Sequence, residues 1–249
     1  MTKFARAFLC SLALTACHSP AREAAPQNPP CAGFDSAGSD ARACAIADEV
    51  MQSMGGRAAW DKARVLCWNF FGKRSHVWDK ATGDYRLDEG DKVVLMNLQS
   101  GKGHAFEKGV EVADPAASEA ALKRARSVWI NDSYWLVMPY KLKDSGLTLK
   151  YAGEGELADG RKADKLQLTF AGVGDTPENR YLVFVSRDKH LVERWQYFQN
   201  ASDAEPKMDT PWTGWEWHGG IQLASSRGEK RSMGGLQVLD TPPASLKTP

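Results

Sequence analysis

The sequence predicts a mainly β fold of the α+β kind, with about nine to eleven antiparallel strands and two helices, one leading and one inserted among the strands. Three observations carry this prediction. From Val65 onward, apolar residues recur mostly with period two, the spacing of a half-buried strand. Glycine-bearing turns punctuate the same region at short intervals, where the chain needs positive φ. Only 41–54 and 115–129 place apolar residues at helical spacing.

The chain of 249 residues opens with MTKFARAFLCSLALTAC. Lys3 and Arg6 form a basic start, and Ala7 to Leu14 form a short apolar core. That core falls short of the ~20 residues a membrane-spanning helix needs, so 1–16 reads as a secretory signal. Leu14-Thr15-Ala16-Cys17 resembles the bacterial lipobox, which implies acylation of Cys17 and a membrane tether. His18 rather than Asp follows it; by resemblance to the sorting rule of Gram-negative lipoproteins, this implies the outer membrane, facing the periplasm. Residues 17–38, rich in Pro, Ala and polar residues, read as a flexible linker. Residues 39–240 read as one domain, and 241–249 as an irregular tail.

Bulk composition narrows the function. The net charge is +1, with no basic footprint for nucleic acid. No second long apolar run suggests a transmembrane helix. Cys10 leaves with the signal, which leaves Cys31, Cys44 and Cys67 beside the lipidated Cys17. Cys31 and Cys44 bracket a short Gly/Ser/Asp loop and are the expected disulfide pair in an oxidising compartment. Cys67, in an apolar run, reads as a buried thiol. No two cysteines stand in a C-x₂-C pair, so neither a zinc site nor any other metal or cofactor is expected.

The elements come in this order. Ala43, Ala47, Val50, Met51 and Met54 share one helical stripe, Ser39 or Asp40 can cap it, and Gly55-Gly56 stops it. Arg57 to Lys62 adds a short helical turn. Strands then run through VLCWNFFG, across Thr82-Gly83-Asp84, and into a hairpin at Lys108-Gly109. Asp114-Pro115 is an N-cap followed by an N1 proline, which starts a helix expected to end at Trp129. Asn131-Asp132 reads as its terminal turn, and Ser133 to Met138 as an apolar strand or short buried segment broken by Pro139. Strands resume around Asp159-Gly160. RYLVFVSRDKHLVERWQYF is the clearest hairpin, and Leu182 to Val185 in its first arm are apolar on both faces, as a central strand requires.

No G-x-S-x-G, H-E-x-x-H, P-loop or G-x-G-x-x-G motif occurs. The five histidines are isolated along the chain, so no catalytic residue is assigned. Nine tryptophans are the unusual feature. Core packing accounts for most of them, since each buries a large area. Some can instead line an apolar cavity with a few placed polar groups. The candidate pocket residues are Tyr134, Trp135, Met138, Tyr140, Trp195, Trp212 and Trp215, with Lys141 and Lys143 at the mouth. Around Asn131 the same stretch also reads as a plain helix-to-strand joint. Trp212-Thr-Gly-Trp215-Glu-Trp217 reads as a partly exposed aromatic rim bent at Pro211 and Gly214.

The lipobox, linker, leading helix, β-meander and inserted helix together resemble the lipoprotein-localisation fold of the LolA/LolB type, over roughly residues 40 to 240. WINDSYWLVMPYKLKD and DTPWTGW also resemble stretches of a group of bacterial secreted proteins and lipoproteins. The resemblance implies a strongly curved antiparallel sheet, a half-barrel, with helices over its concave face and an apolar cavity between. It supplies no functional residues. Together with the Cys17 anchor it leads to the expectation of a non-enzymatic, membrane-anchored binder of a lipid, acyl chain or lipoprotein. A scaffold that meets an envelope protein partner through the aromatic rim is the second reading. An envelope hydrolase is the third, and it requires a His–carboxylate or Ser–His pair converging in a cleft.

Overall fold

The computed structural model describes residues 28–249. The expected signal, the expected acylation site Cys17 and the linker as far as residue 27 lie outside the described residues. Two helices come first, α1 (Ala41–Ser53) and α2 (Gly56–Lys62). The strands β1 (Val65–Phe70), β2 (Arg74–Asp79), β3 (Asp84–Glu89), β4 (Lys92–Asn97), β5 (Gly103–Glu107) and β6 (Val110–Glu111) follow. Helix α3 (Pro115–Val137) leads through a 3₁₀ turn, Met138–Lys141, into β7 (Leu147–Glu156), β8 (Lys162–Phe170), β9 (Arg180–Ser186) and β10 (Val192–Phe198). The last strands are β11 (Met208–Pro211), β12 (Thr213–His218), β13 (Ile221–Ser226) and β14 (Met233–Leu239).

The fold class is as expected: mainly antiparallel β, in large curved sheets not closed into a barrel, with helix over them. The expected single sheet is divided. One sheet runs β14-β1-β2-β3-β4-β5-β6, a second runs β11-β10-β9-β8-β7, and β12-β13 form a hairpin of their own. The described residues hold more strands than the periodicity suggests, and the expected helical turn from Arg57 to Lys62 is α2. Very short strands such as β6 and β11 give too few residues for period two to register. Strand β9 is central in its sheet, in line with its two apolar faces. Lys108 and Gly109 both take positive φ, the backbone of a tight two-residue hairpin turn.

Helix α3 departs furthest from expectation. It starts as read, with Asp114 Oδ2 accepting from the Ala117 N–H at 2.8 Å. It does not stop at Trp129, and 133–138 is not a strand. Asn131 and Asp132 fail to end the helix because their side chains are engaged elsewhere. Arg74 Nε donates to Asp132 Oδ2 at 2.7 Å, and Asn131 Nδ2 donates to Asp132 Oδ1 at 2.8 Å. The Asp132 carboxylate therefore does not compete for helix backbone. Ala125, Asp132, Ser133, Leu136 and Val137 form the buried face. The first half of α3 packs through Ala125 on a satellite core of Tyr85, Leu87, Val94, Met96 and Ala105. Its second half joins the main core through Leu136 and Val137, each contributing about 2 kcal/mol relative to exposure.

Residues 28–38 are not free linker. Asn28 is buried and donates to Asp48 Oδ1 at 2.7 Å, and the Cys31 N–H donates to the Lys143 carbonyl at 2.9 Å. The Asp35 and Asp40 N–H groups donate to the Leu147 and Leu149 carbonyls. The segment thereby covers the outer edge of β7, which would otherwise present unpaired backbone groups. The expected Cys31–Cys44 disulfide is not formed. Both cysteines and Cys67 are free, and the Cys31 thiol instead faces Asp144 Oδ1 at 3.5 Å.

Candidate functional site

Helix α3 bridges the two large sheets, and a cavity of about 610 Å³ lies beside its second half. This falls within the roughly 300–1,000 Å³ of small-molecule sites. Trp129, Tyr134, Trp135 and Val137 of α3 line it, with Phe170, Tyr181 and Trp195 of the second sheet opposite. Trp60 of α2, Trp78 of β2 and Trp212, after β11, complete the apolar wall. Lys141, Asp144 and Ser145 form part of its rim, together with the loop 173–176. That loop is tied to α3 by a hydrogen bond from the Ser127 hydroxyl to Asp175. It also rests on Gly146, where φ is 71° and an added Cβ would meet Val173 Cγ1 at 2.6 Å.

Of the expected pocket residues, the structure brings Tyr134, Trp135, Trp195 and Trp212 to this cavity. Met138, Tyr140 and Trp215 lie elsewhere. Met138 is wholly buried in the main core. Tyr140 is a structural clasp: its hydroxyl is shared between the Met54 and Gln222 carbonyls at 2.9 and 2.7 Å. Trp215 donates its indole N–H to the Val192 carbonyl at 3.1 Å. Trp212 is 1% exposed and leaves the expected rim, whereas Trp215 is half-buried and Trp217 is 61% exposed. Lys141 reaches the mouth as expected and pairs with Asp144. Lys143 does not, because its ammonium is tied to Asp48 at 2.7 Å and to the Asn28 carbonyl at 2.6 Å.

Sequence reasoning missed Trp60, Trp78, Trp129, Phe170 and Tyr181. Only Trp129 had a local signal, since it lies four residues before Ser133 and eight before Val137 on a continuous helix. Some of the aromatic rings meet edge to face, as in Trp135–Trp195 at 4.6 Å and 77° and Trp78–Trp129 at 5.2 Å and 74°, while Tyr181 lies tilted against Tyr134 and Trp195. Burial pushes the Tyr134 phenol well above its usual range, and Tyr181 moves the same way for the same reason. Both stay neutral.

Cations back two of the tryptophan walls. The Lys80 ammonium lies 3.5 Å from the Trp60 ring centroid and donates to the Trp60 carbonyl. Burial pulls it down to about 8, against an upward pull from Asp61. The Arg227 guanidinium lies 3.4 Å from the Trp212 centroid and donates to the carbonyls of Trp135, Ala224 and Ser226.

A second polar group lies behind the helix. His76 Nδ1 and the Tyr85 hydroxyl are 2.8 Å apart, and His76 Nε2 lies 3.1 Å from Asp132 Oδ2. The acceptor-only Asp132 carboxylate facing Nε2 favours the imidazole proton there, which leaves Nδ1 to accept from the Tyr85 hydroxyl, kept protonated by burial. The Nε2 contact is too poorly aligned for a full hydrogen bond. Burial pushes the imidazole below its usual range, and Asp132 opposes this without overcoming it. Burial would raise the Asp132 carboxyl, but His76, Arg74 and Asn131 outweigh that and hold it below the usual carboxylate range. His76 and Asp132 are 1% and 0% exposed, and neither lines the cavity. This His–carboxylate pair joins helix to sheet rather than opening into a cleft. Among the described residues no cluster of His, Cys, Asp and Glu could hold a metal ion.

No family model matches the chain, and no curated protein matches it. Solved structures do. A DUF1329 family protein from Desulfovibrio piger ATCC 29098 is similar at 15% identity and TM-score 0.42, over 79% of this chain and 92% of that one. MucB is similar at 13% identity and TM-score 0.26, over 80% of this chain and 66% of that one. MucB in complex with MucA(peri) is similar at 13% identity and TM-score 0.23, over 83% and 60%. All of these TM-scores lie below 0.5, and no function is carried over from them. Among the described residues no helix is long and apolar enough to cross a membrane.

Proposed function

We propose that this protein is a periplasmic binder or carrier of an apolar ligand, a lipid or acyl chain, and that it performs no chemistry on it. The aromatic cavity beside α3 is the observation that carries this reading. Its apolar wall is contributed by both large sheets and by the helix between them. Each buried methylene supplies about 0.8 kcal/mol, so roughly ten would supply about 8 kcal/mol before the cost of ordering the chain. The lipobox-like Leu14 to Cys17 supports a tether at the outer membrane, where lipids are present at high effective concentration.

Titration with a fluorescent fatty-acid probe tests this. The native chain is expected to bind it, and Trp135→Ala to weaken binding about tenfold, since Trp135 packs against Phe70, Phe71 and Trp195 at the cavity wall. A probe that stays in solution would overturn the reading. The second reading, a protein partner, rests on the exposure of Trp217 on the β12–β13 hairpin. Crosslinking in intact cells that depends on Trp217 would favour it.

A further inference from the structure

The cations behind the tryptophan walls point to the kind of ligand the cavity takes, on the footing that the cavity is a binding site as proposed above. A half-buried ammonium or a buried guanidinium is ordinarily matched by a carboxylate, because removing a charge from water is costly. Among the described residues, neither Lys80 nor Arg227 has a carboxylate within ion-pair distance. Lys80 has the Trp60 carbonyl, and Arg227 has carbonyls alone. Both sit over indoles that line the cavity, and neither lines it itself.

The charged groups around Trp60 are Lys80, the Lys141–Asp144 pair and the Arg57–Asp61 pair. Together they leave one positive charge uncompensated. Tyr140 stacks on Trp60 at 4.4 Å and 15°, and Lys80 sits over the same ring at 3.5 Å, so the indole is held between them. Near the other wall, Arg227 is 2% exposed and adds a second uncompensated charge. Asp175, on the rim loop, is exposed to solvent and therefore screened.

We infer that the ligand is an anionic amphiphile, whose carboxylate or phosphate head sits at the rim beside Trp60 and Lys141, with the Lys80 charge behind the Trp60 indole, and whose chain enters the aromatic cavity. An oxyanion there supplies the counter-charge that the protein lacks. The low dielectric beside Trp60 strengthens that attraction over its value in water. The lowering of the Lys80 ammonium agrees with a site that lacks its anion.

The test compares three probes with the same chain, oleate, oleyl phosphate and oleyl alcohol, by quenching of tryptophan fluorescence at pH 7. The two anions are expected to bind about tenfold or more tightly than the alcohol, the gain that a charge pair in a partly buried site supports. Which anion binds more tightly identifies the head group. Lys80→Met is expected to reduce the preference to within about twofold, and Lys80→Arg to restore it. Alcohol binding as tight as oleate in the native chain would overturn the anionic head and leave the apolar cavity standing. Absence of binding by all three would overturn the cavity's role itself. The native-chain comparison decides the matter even if the variants do not fold.

Discussion

His76 shows how one buried side chain ties local chemistry to stability. It stacks on Trp68 at 4.3 Å and 9°, accepts from Tyr85, and faces Asp132. Burial holds its folded pKa below the ordinary value of about 6.5. The unfolded chain therefore takes up this proton before the folded chain does. The stability involved is present above about pH 6.5 and is lost as the pH falls toward the folded value. The depressed Asp132 carboxyl adds a loss only at lower pH, below about 4. The urea midpoint is expected to fall between pH 7 and pH 5, and His76→Gln to flatten that slope. An equal slope in the variant would remove His76 as its cause.

The inserted helix α3 is the element on which site and fold both depend. Its first half sits on the β3–β5 core, its second half forms one wall of the cavity, and Asp132 pins that second half to β2. Asp132→Ala leaves His76 and most of Arg74 without their anion, and a broken buried pair costs about 3–5 kcal/mol. A urea denaturation curve checks this, and a cost under about 1 kcal/mol, the range of an exposed pair, would deny Asp132 its part in holding the helix. The start of α3 was legible in the sequence, because Asp114 and Pro115 are local signals. Its end was not. Asn131-Asp132 carries the chemistry of a helix stop, and only Arg74, 58 residues away, makes it compatible with continued helix. The leading helix and most hairpins were readable for the opposite reason, since their glycines and apolar stripes act over a few residues.

At the scale of the molecule, two curved sheets joined by one helix leave a space that neither sheet encloses alone. Trp60 and Trp78 come from the first part of the chain, Trp195 and Trp212 from the last, and they meet only through this topology. That is why only part of the site was legible in the sequence. Tyr134 and Trp135 were visible as a dense aromatic stretch, whereas Trp60 and Trp78 were indistinguishable from core. Met138 and Tyr140, equally aromatic or apolar in context, face away because the chain turns as 3₁₀ helix at Met138–Lys141 rather than as a strand. The proposed function requires that something apolar occupies this cavity. Native mass spectrometry of the protein purified from its own envelope measures this most directly. The expected result is a co-purifying lipid or acyl-chain mass that is released by detergent and diminished by Trp135→Ala. A single bare-protein mass under conditions that preserve known lipid complexes would contradict it.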